Sequence, residues 1–174
     1  MSVPAPSTRL VYRPVTVDDA GFLYQLMTDA AYLRHIGDRN IHDEAAARAY
    51  IEDKFLPAYA RADGMGVFLA ERRADGAPVG IITLLQREGF QQPDIGYALL
   101  PAWRGHGYAR EGAAALLAHA QETLGLNGLC AIVAPGNEAS FKVLAALGFA
   151  KRGKILNPTT GMLVTVLDWK AERT

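Results

Sequence analysis

From Asp94 to Glu111 the chain reads Asp-Ile-Gly-Tyr-Ala-Leu-Leu-Pro-Ala-Trp-Arg-Gly-His-Gly-Tyr-Ala-Arg-Glu, and this run leaves the backbone few choices. Ile95 to Leu100 is an apolar stretch suited to a buried strand. Pro101 lacks a backbone donor and ends it. Arg104 to Ala109 then makes a tight turn bearing two glycines. Behind it Ala109, Ala113, Leu116, Leu117, Ala120 and Leu124 recur at helical spacing. A strand, a glycine turn and a helix N-terminus in that order have chemical meaning. The first N–H groups of a helix lack internal partners and carry the positive end of its dipole. Where Gly105 and Gly107 remove the Cβ, an anion can approach those amides, and pyrophosphate fits best.

With 174 residues, 50% of them hydrophobic, the chain can bury one sizeable core. Lys+Arg and Asp+Glu number 18 each, and that balance argues against a broad nucleic-acid or membrane-surface patch. No apolar run reaches bilayer length, and no signal peptide is present. Cys130 stands alone, which excludes a disulfide framework and a cysteine-based zinc site. Inside an apolar strand it reads as a small buried hydrophobe rather than a nucleophile. His35, His42, His106 and His119 share no metal-ligand spacing, so no metal is expected. The expectation is a soluble, cytoplasmic protein in which residues 1–8 are a flexible arm and 9–174 a single domain.

Taken in order, Arg9 to Pro14 is a short strand that the proline ends. Thr16 and Asp19 form a capping-box pattern before a helix with Leu23, Leu26, Met27 and Ala30 on one side. Tyr32 to Ile41 reads as a loop, and Asp43 and Glu44 open a second helix reaching about Tyr59 despite Pro57. Gly66 to Arg72 and Pro78 to Leu85 are strands around an Ala74-Asp-Gly76 hairpin signal. Leu129 to Ala134 is a buried strand, broken by Pro135-Gly136 before a helix that Asn137 caps. Gly148 suits the residue just past that helix. Phe149 to Ile155 and Met162 to Trp169 make a final hairpin, whose free edge offers a surface for a homodimer.

Arg104-x-x-Gly107-x-Ala109 resembles the acyl-CoA signature of the GNAT N-acyltransferase superfamily. Asn137-Glu-Ala-Ser140, followed by Leu147-Gly-Phe149, is similar to a second landmark of that family. The resemblance runs from about Arg9 onward. Arg9-x-x-x-Arg-Pro14, Asp18-Asp19 and Asp94-Ile-Gly-Tyr97 resemble its RimJ/RimL-like branch. It implies an α/β (α+β) GNAT fold: a mixed, mostly antiparallel seven-stranded sheet, four helices, and fourth and fifth strands splayed around a pantetheine arm.

The activity so implied is transfer of an acetyl group from acetyl-CoA to a primary amine, on a protein N-terminus or a small molecule, within a ternary complex. Backbone groups of Leu99 and Leu100 would bond the arm, and one of their N–H groups the developing oxyanion. Arg104, Gly105, His106, Gly107, Tyr108 and Ala109 would hold the pyrophosphate, with Arg110 adding charge. Asn137 would bind the arm and Ser140 would contact or protonate the sulfur, although both types also favour simple capping. Many members place a tyrosine acid where this chain has Leu144, which leaves Ser140, a water or another tyrosine. Asp94 stands near the place of a base, with an exposed, solvated carboxylate as the plainer reading and Glu88 as a weaker substitute. The acceptor wall would be Tyr32 to Ile41 and Asn157 to Met162, where Arg34, Asp38 and Arg39 can read charge.

Two rivals remain at this level. The missing tyrosine and uncertain base motivate a non-catalytic acyl-CoA-binding module. Dinucleotide binding on a Rossmann unit has the wrong glycine spacing and lacks an opening βαβ series.

Overall fold

Seven strands form one mixed sheet in the order β1-β2-β3-β4-β5-β7-β6. They are β1 (Leu10–Pro14), β2 (Gly66–Arg72), β3 (Pro78–Leu85), β4 (Asp94–Leu99), β5 (Gly128–Val133), β6 (Ala150–Leu156) and β7 (Leu163–Lys170). The structure is a computed structural model and describes residues 1–172. All neighbouring strands run antiparallel except β4 and β5, which are parallel.

Side chains leave a strand on alternate faces, so each central strand feeds two cores. On one face Phe68, Ile82, Ile95, Leu129 and Leu167 pack with Leu116 and Leu144 from the helices α5 (Tyr108–Ala118) and α6 (Glu138–Ala146). On the other, Val67, Leu69 and Ile81 pack with Leu23, Leu26, Ala47 and Ile51 from α1 (Ala20–Met27) and its neighbours. Those neighbours are α2 (Ala30–His35), α3 (Glu44–Tyr50) and α4 (Leu56–Ala60). The four expected helices are present, counting α3 and α4 as one rod, and α2 is an additional one.

Helix α2 occupies the front of a segment expected to be a loop. The sequence holds its start signal, because the Asp29 carboxylate accepts from the N–H groups of Ala31 and Tyr32 at 3.1 and 3.2 Å. Asp43 caps α3 through Ala46 N–H at 2.7 Å. Between α3 and α4 the backbone widens to a π turn, Ile51–Phe55, ahead of Pro57. Pro57 has no N–H to return to Asp53, so the regular ladder cannot continue through it. After α6, Gly148 takes a φ of 91°, its N–H bonds Ala145 O, and Phe149 N–H bonds Leu144 O. That pair of bonds satisfies carbonyls the helix end would otherwise strand.

Residues 1–8 carry no helix or strand, but they lie along the body. Pro4 is buried, and Ser7 Oγ is 2.8 Å from both Tyr12 Oη and Glu111 Oε1. The outer strand β6 is almost wholly exposed, with Leu156 67% accessible. No helix among the described residues is long and apolar enough to cross a membrane.

Candidate active site

The parallel pair β4–β5 is joined at a single register position, Asp94 opposite Cys130, where Cys130 N–H donates to Pro93 O at 2.9 Å. Past that point the strands diverge, and a cavity of about 610 Å³ occupies the opening. On the other side of β4, Leu100 N–H donates to Val79 O at 3.0 Å. Antiparallel pairing alternates bonded and non-bonded partners. Leu99, opposite Gly80, therefore turns its N–H and C=O away from β3 and into the opening. Leu100 does not serve the expected purpose: its N–H is taken by Val79 and its C=O accepts from Trp103, and it does not line the cavity.

At one end of the opening lies the glycine turn. Gly105 and Gly107 have φ of 76° and 82°, a left-handed backbone that costs a residue with a Cβ about 1–2 kcal/mol. Gly107 is the cap of α5, and the first helical bond runs from Glu111 N–H to Gly107 O. Among the described residues, the N–H groups from Gly105 to Arg110 find no acceptor, as expected of a first turn. Gly105, Gly107, Tyr108, Ala109 and Arg110 line the cavity. His106 does not, and its carbonyl instead accepts from Arg9 Nη1 at 2.8 Å. Arg9 also stacks 4.3 Å over the Tyr108 ring and pairs with Glu111 at 2.8 Å, so it buttresses the turn from behind.

Arg104 lines the cavity in a different capacity from the one expected. Its N–H donates to Pro101 O, while its guanidinium bonds the Asp29 carboxylate and Leu99 O, so it braces β4 against the cap of α2. Burial pushes the Asp29 carboxyl up, but Arg104 and the amides of α2 outweigh it and hold it below the ordinary carboxylate range.

Midway along, Asn137 caps α6 by accepting from Ser140 N–H at 3.3 Å. Ser140 Oγ lies 2.7 Å from the phenol oxygen of Tyr97, which reaches across from β4. Burial raises the Tyr97 pKa, with the Ser140 bond opposing it. Leu144 is a buried part of the wall. Tyr97, which the sequence concealed inside a strand pattern, places its hydroxyl beside Ser140, one helical turn from Leu144.

At the foot of the opening Asp94 is only 3% exposed and pairs with Arg87 Nε at 2.8 Å. The plainer reading of a solvated strand-end carboxylate is thus overturned. Burial raises its pKa, while Arg87 pulls it down. Cys130 opposite is buried, and its thiol is pushed up to about 12 by burial first and by Asp94 second.

The cavity continues past β4 to Tyr32, His35, Arg39, Tyr50 and Phe55 on one side and Asn157, Thr160 and Met162 on the other. Tyr32, His35, Arg39, Asn157, Thr160 and Met162 belong to the two segments expected to form the acceptor wall, whereas Tyr50 and Phe55 are additions, and the two segments touch: a Cβ built on Gly37 would fall 2.9 Å from Thr160 Cγ2. The π turn before α4 carries Phe55 into the wall, where it meets Tyr50 edge-on at 5.5 Å. Of the three residues expected to read charge, Arg39 lines the cavity, whereas Arg34 and Asp38 are exposed.

An amide turn, parted parallel strands and a capped helix beside them match the arrangement expected from the sequence. The acetyltransferase (GNAT) domain model covers residues 9–150. The chain belongs to the GNAT acetyltransferase family. YoaA, an uncharacterized N-acetyltransferase of Bacillus subtilis (strain 168), is 28% identical over 148 residues, which is 83% of this chain and 81% of that protein. An acetyltransferase from Agrobacterium tumefaciens str. C58 shares the fold with a TM-score of 0.79 at 23% identity, over 98% of this chain and 96% of that one. RimL, a ribosomal L7/L12 alpha-N-protein acetyltransferase in complex with coenzyme A, superposes with a TM-score of 0.78 at 17% identity, over 96% and 97%. The GNAT fold thus extends over nearly the whole chain.

Within this GNAT site, sequence reasoning missed Tyr97, Arg87 and Arg9. Arg9 and Tyr97 stood inside motifs read for branch resemblance. Arg87 follows β3 in a loop that offers no periodic pattern.

Proposed function

We propose that the protein is an acetyl-CoA-dependent N-acetyltransferase that passes an acetyl group to a primary amine by direct attack within a ternary complex. The opening between β4 and β5 carries this reading, because it presents Leu99 N–H and the amides of Gly105 to Arg110 without protein acceptors. Bound acetyl-CoA supplies an activated thioester carbonyl and a thiolate leaving group. The turn amides, with Arg110, hold the linked phosphates. Leu99 N–H donates to the arm or to the oxyanion that forms on attack, an interaction whose loss typically costs about 2.7–4 kcal/mol of barrier. Asn137 orients the arm beside α6. The Tyr97–Ser140 pair delivers a proton to the departing sulfur.

Asp94 receives the proton of the incoming ammonium, directly or through water. Its burial makes it a stronger acceptor than an exposed carboxylate. The test is to mix the protein with acetyl-CoA and a panel of primary amines and follow free thiol. Release that depends on the amine supports the proposal. CoA binding with no release on any amine, protein N-termini included, would instead establish a binding module.

A further inference from the structure

Four guanidiniums and one carboxylate line the cavity: Arg39, Arg87, Arg104, Arg110 and Asp94. Arg110 stands at the amide turn, Arg104 bonds Asp29, and Arg87 bonds Asp94. Arg39 remains. Among the described residues no carboxylate lies within ion-pair distance of it, although it is half-buried against an apolar and aromatic wall. Arg39 lines the same cavity as the buried Tyr32 and lies close to Gly37, where a built Cβ would stand 3.2 Å from Arg39 Nη1.

We propose that the acceptor is a compact amine that also carries a carboxylate, an α-amino acid with an apolar side chain, whose carboxylate is held by Arg39. The inference rests on the transferase reading above and names its substrate class. A partly desolvated guanidinium gains most from a carboxylate, which it can take in two parallel hydrogen bonds. Met27, Ile36 and Phe55 offer the apolar body a surface. A polyamine fits poorly, because the one carboxylate in the wall is already paired. A protein N-terminus fits poorly too. Its first residue has an amide in place of the carboxylate, and the α2–α3 loop meets the β6–β7 turn at Gly37 and Thr160. In the reaction the amine nitrogen bonds the acetyl carbon, the C–S bond breaks, and the ammonium gives up two protons. One remains on the thiol and one goes to solvent.

The experiment compares L-methionine and L-phenylalanine with their methyl esters, spermidine and a short peptide with a free N-terminus, by thiol release and by calorimetry on the protein–CoA complex. The expected result is a preference for the free acids over the esters of about 10- to 100-fold in KM, the range of a hydrogen bond to a charged group. Arg39→Gln should collapse that ratio towards unity, Arg39→Lys should restore part of it, and Arg34→Gln should keep it. Faster turnover of esters, spermidine or peptide, or a ratio unmoved by Arg39→Gln, overturns the proposal. If no amine releases thiol, the transferase reading falls, and calorimetry alone decides here. Binding that needs both the carboxylate and Arg39 sustains the site, and equal binding of acid and ester removes it.

Discussion

The Arg104 guanidinium joins the Asp29 carboxylate to the carbonyl of Leu99, which lies 2.9 Å away. One side chain thus ties the cap of α2 to the strand whose backbone faces the opening. Asp29→Ala should remove the cap of α2 together with its own end of that tie and cost about 0.5–2 kcal/mol, the usual range for a lost N-cap. Because the folded carboxyl titrates below its unfolded value near ~3.9, its stabilisation is present above that value. It is lost as the pH falls through the lower folded value. Thermal melts of the two proteins should therefore differ at neutral pH and converge in acid.

Gly107→Val should abolish CoA binding measured by calorimetry. Its φ of 82° already disfavours any side chain, and a Cβ would stand 3.3 Å from Arg9 Nη2, so the turn that presents the amides would have to shift. Unchanged affinity would move the phosphate site elsewhere.

Tyr97→Phe should lower kcat by about 10²-fold, the lower end for a general acid, since a thiolate leaves readily. Ser140→Ala should act in the same direction. The double variant should lose little more than either alone, because the two hydroxyls share one bond. Steady-state kinetics of the three proteins check this.

The acid limb of the kcat/KM profile should reflect Asp94, with its midpoint above the ordinary carboxylate value near ~3.9. Asp94→Asn should flatten that limb and lower the rate more for an alkylamine than for a less basic amine, which already supplies some neutral nucleophile. An unchanged profile would remove Asp94 from the proton path.

Cys130 should resist alkylation in the folded protein and react at once in denaturant, because its thiol is buried and titrates at about 12. A thiol-labelling time course reads this directly.

Much of the architecture was legible because local signals agreed. The β-rich run Gly66 to Arg72, the break at Pro101 and the cap at Asn137 each recur as an element boundary within a residue or two. Helix α2 was missed because Ala30, its first residue, reads as part of the apolar face of the preceding helix, which hides the cap at Asp29. The site divided differently. Gly105 and Gly107 shape the turn through their backbone and Asn137 caps α6 through its side chain, both local features that sequence spacing encodes. Leu100 and Arg104 bond partners within the protein that the sequence does not show, because strand register and the reach of a guanidinium are tertiary facts. Tyr97 was hidden for the same reason: its partner Ser140 lies 43 positions on, across the opening.

The lone bridge between Asp94 and Cys130 leaves the sheet with a bare edge in its interior as well as those at its rim. A rim edge invites any passing extended chain, but an enclosed one admits only a guest slender enough to enter lengthwise. A tail whose amides mimic a peptide can then complete the ladder without unzipping anything. On the proposed function, selectivity for the thioester arm follows from how the strands part, set before any side chain makes contact.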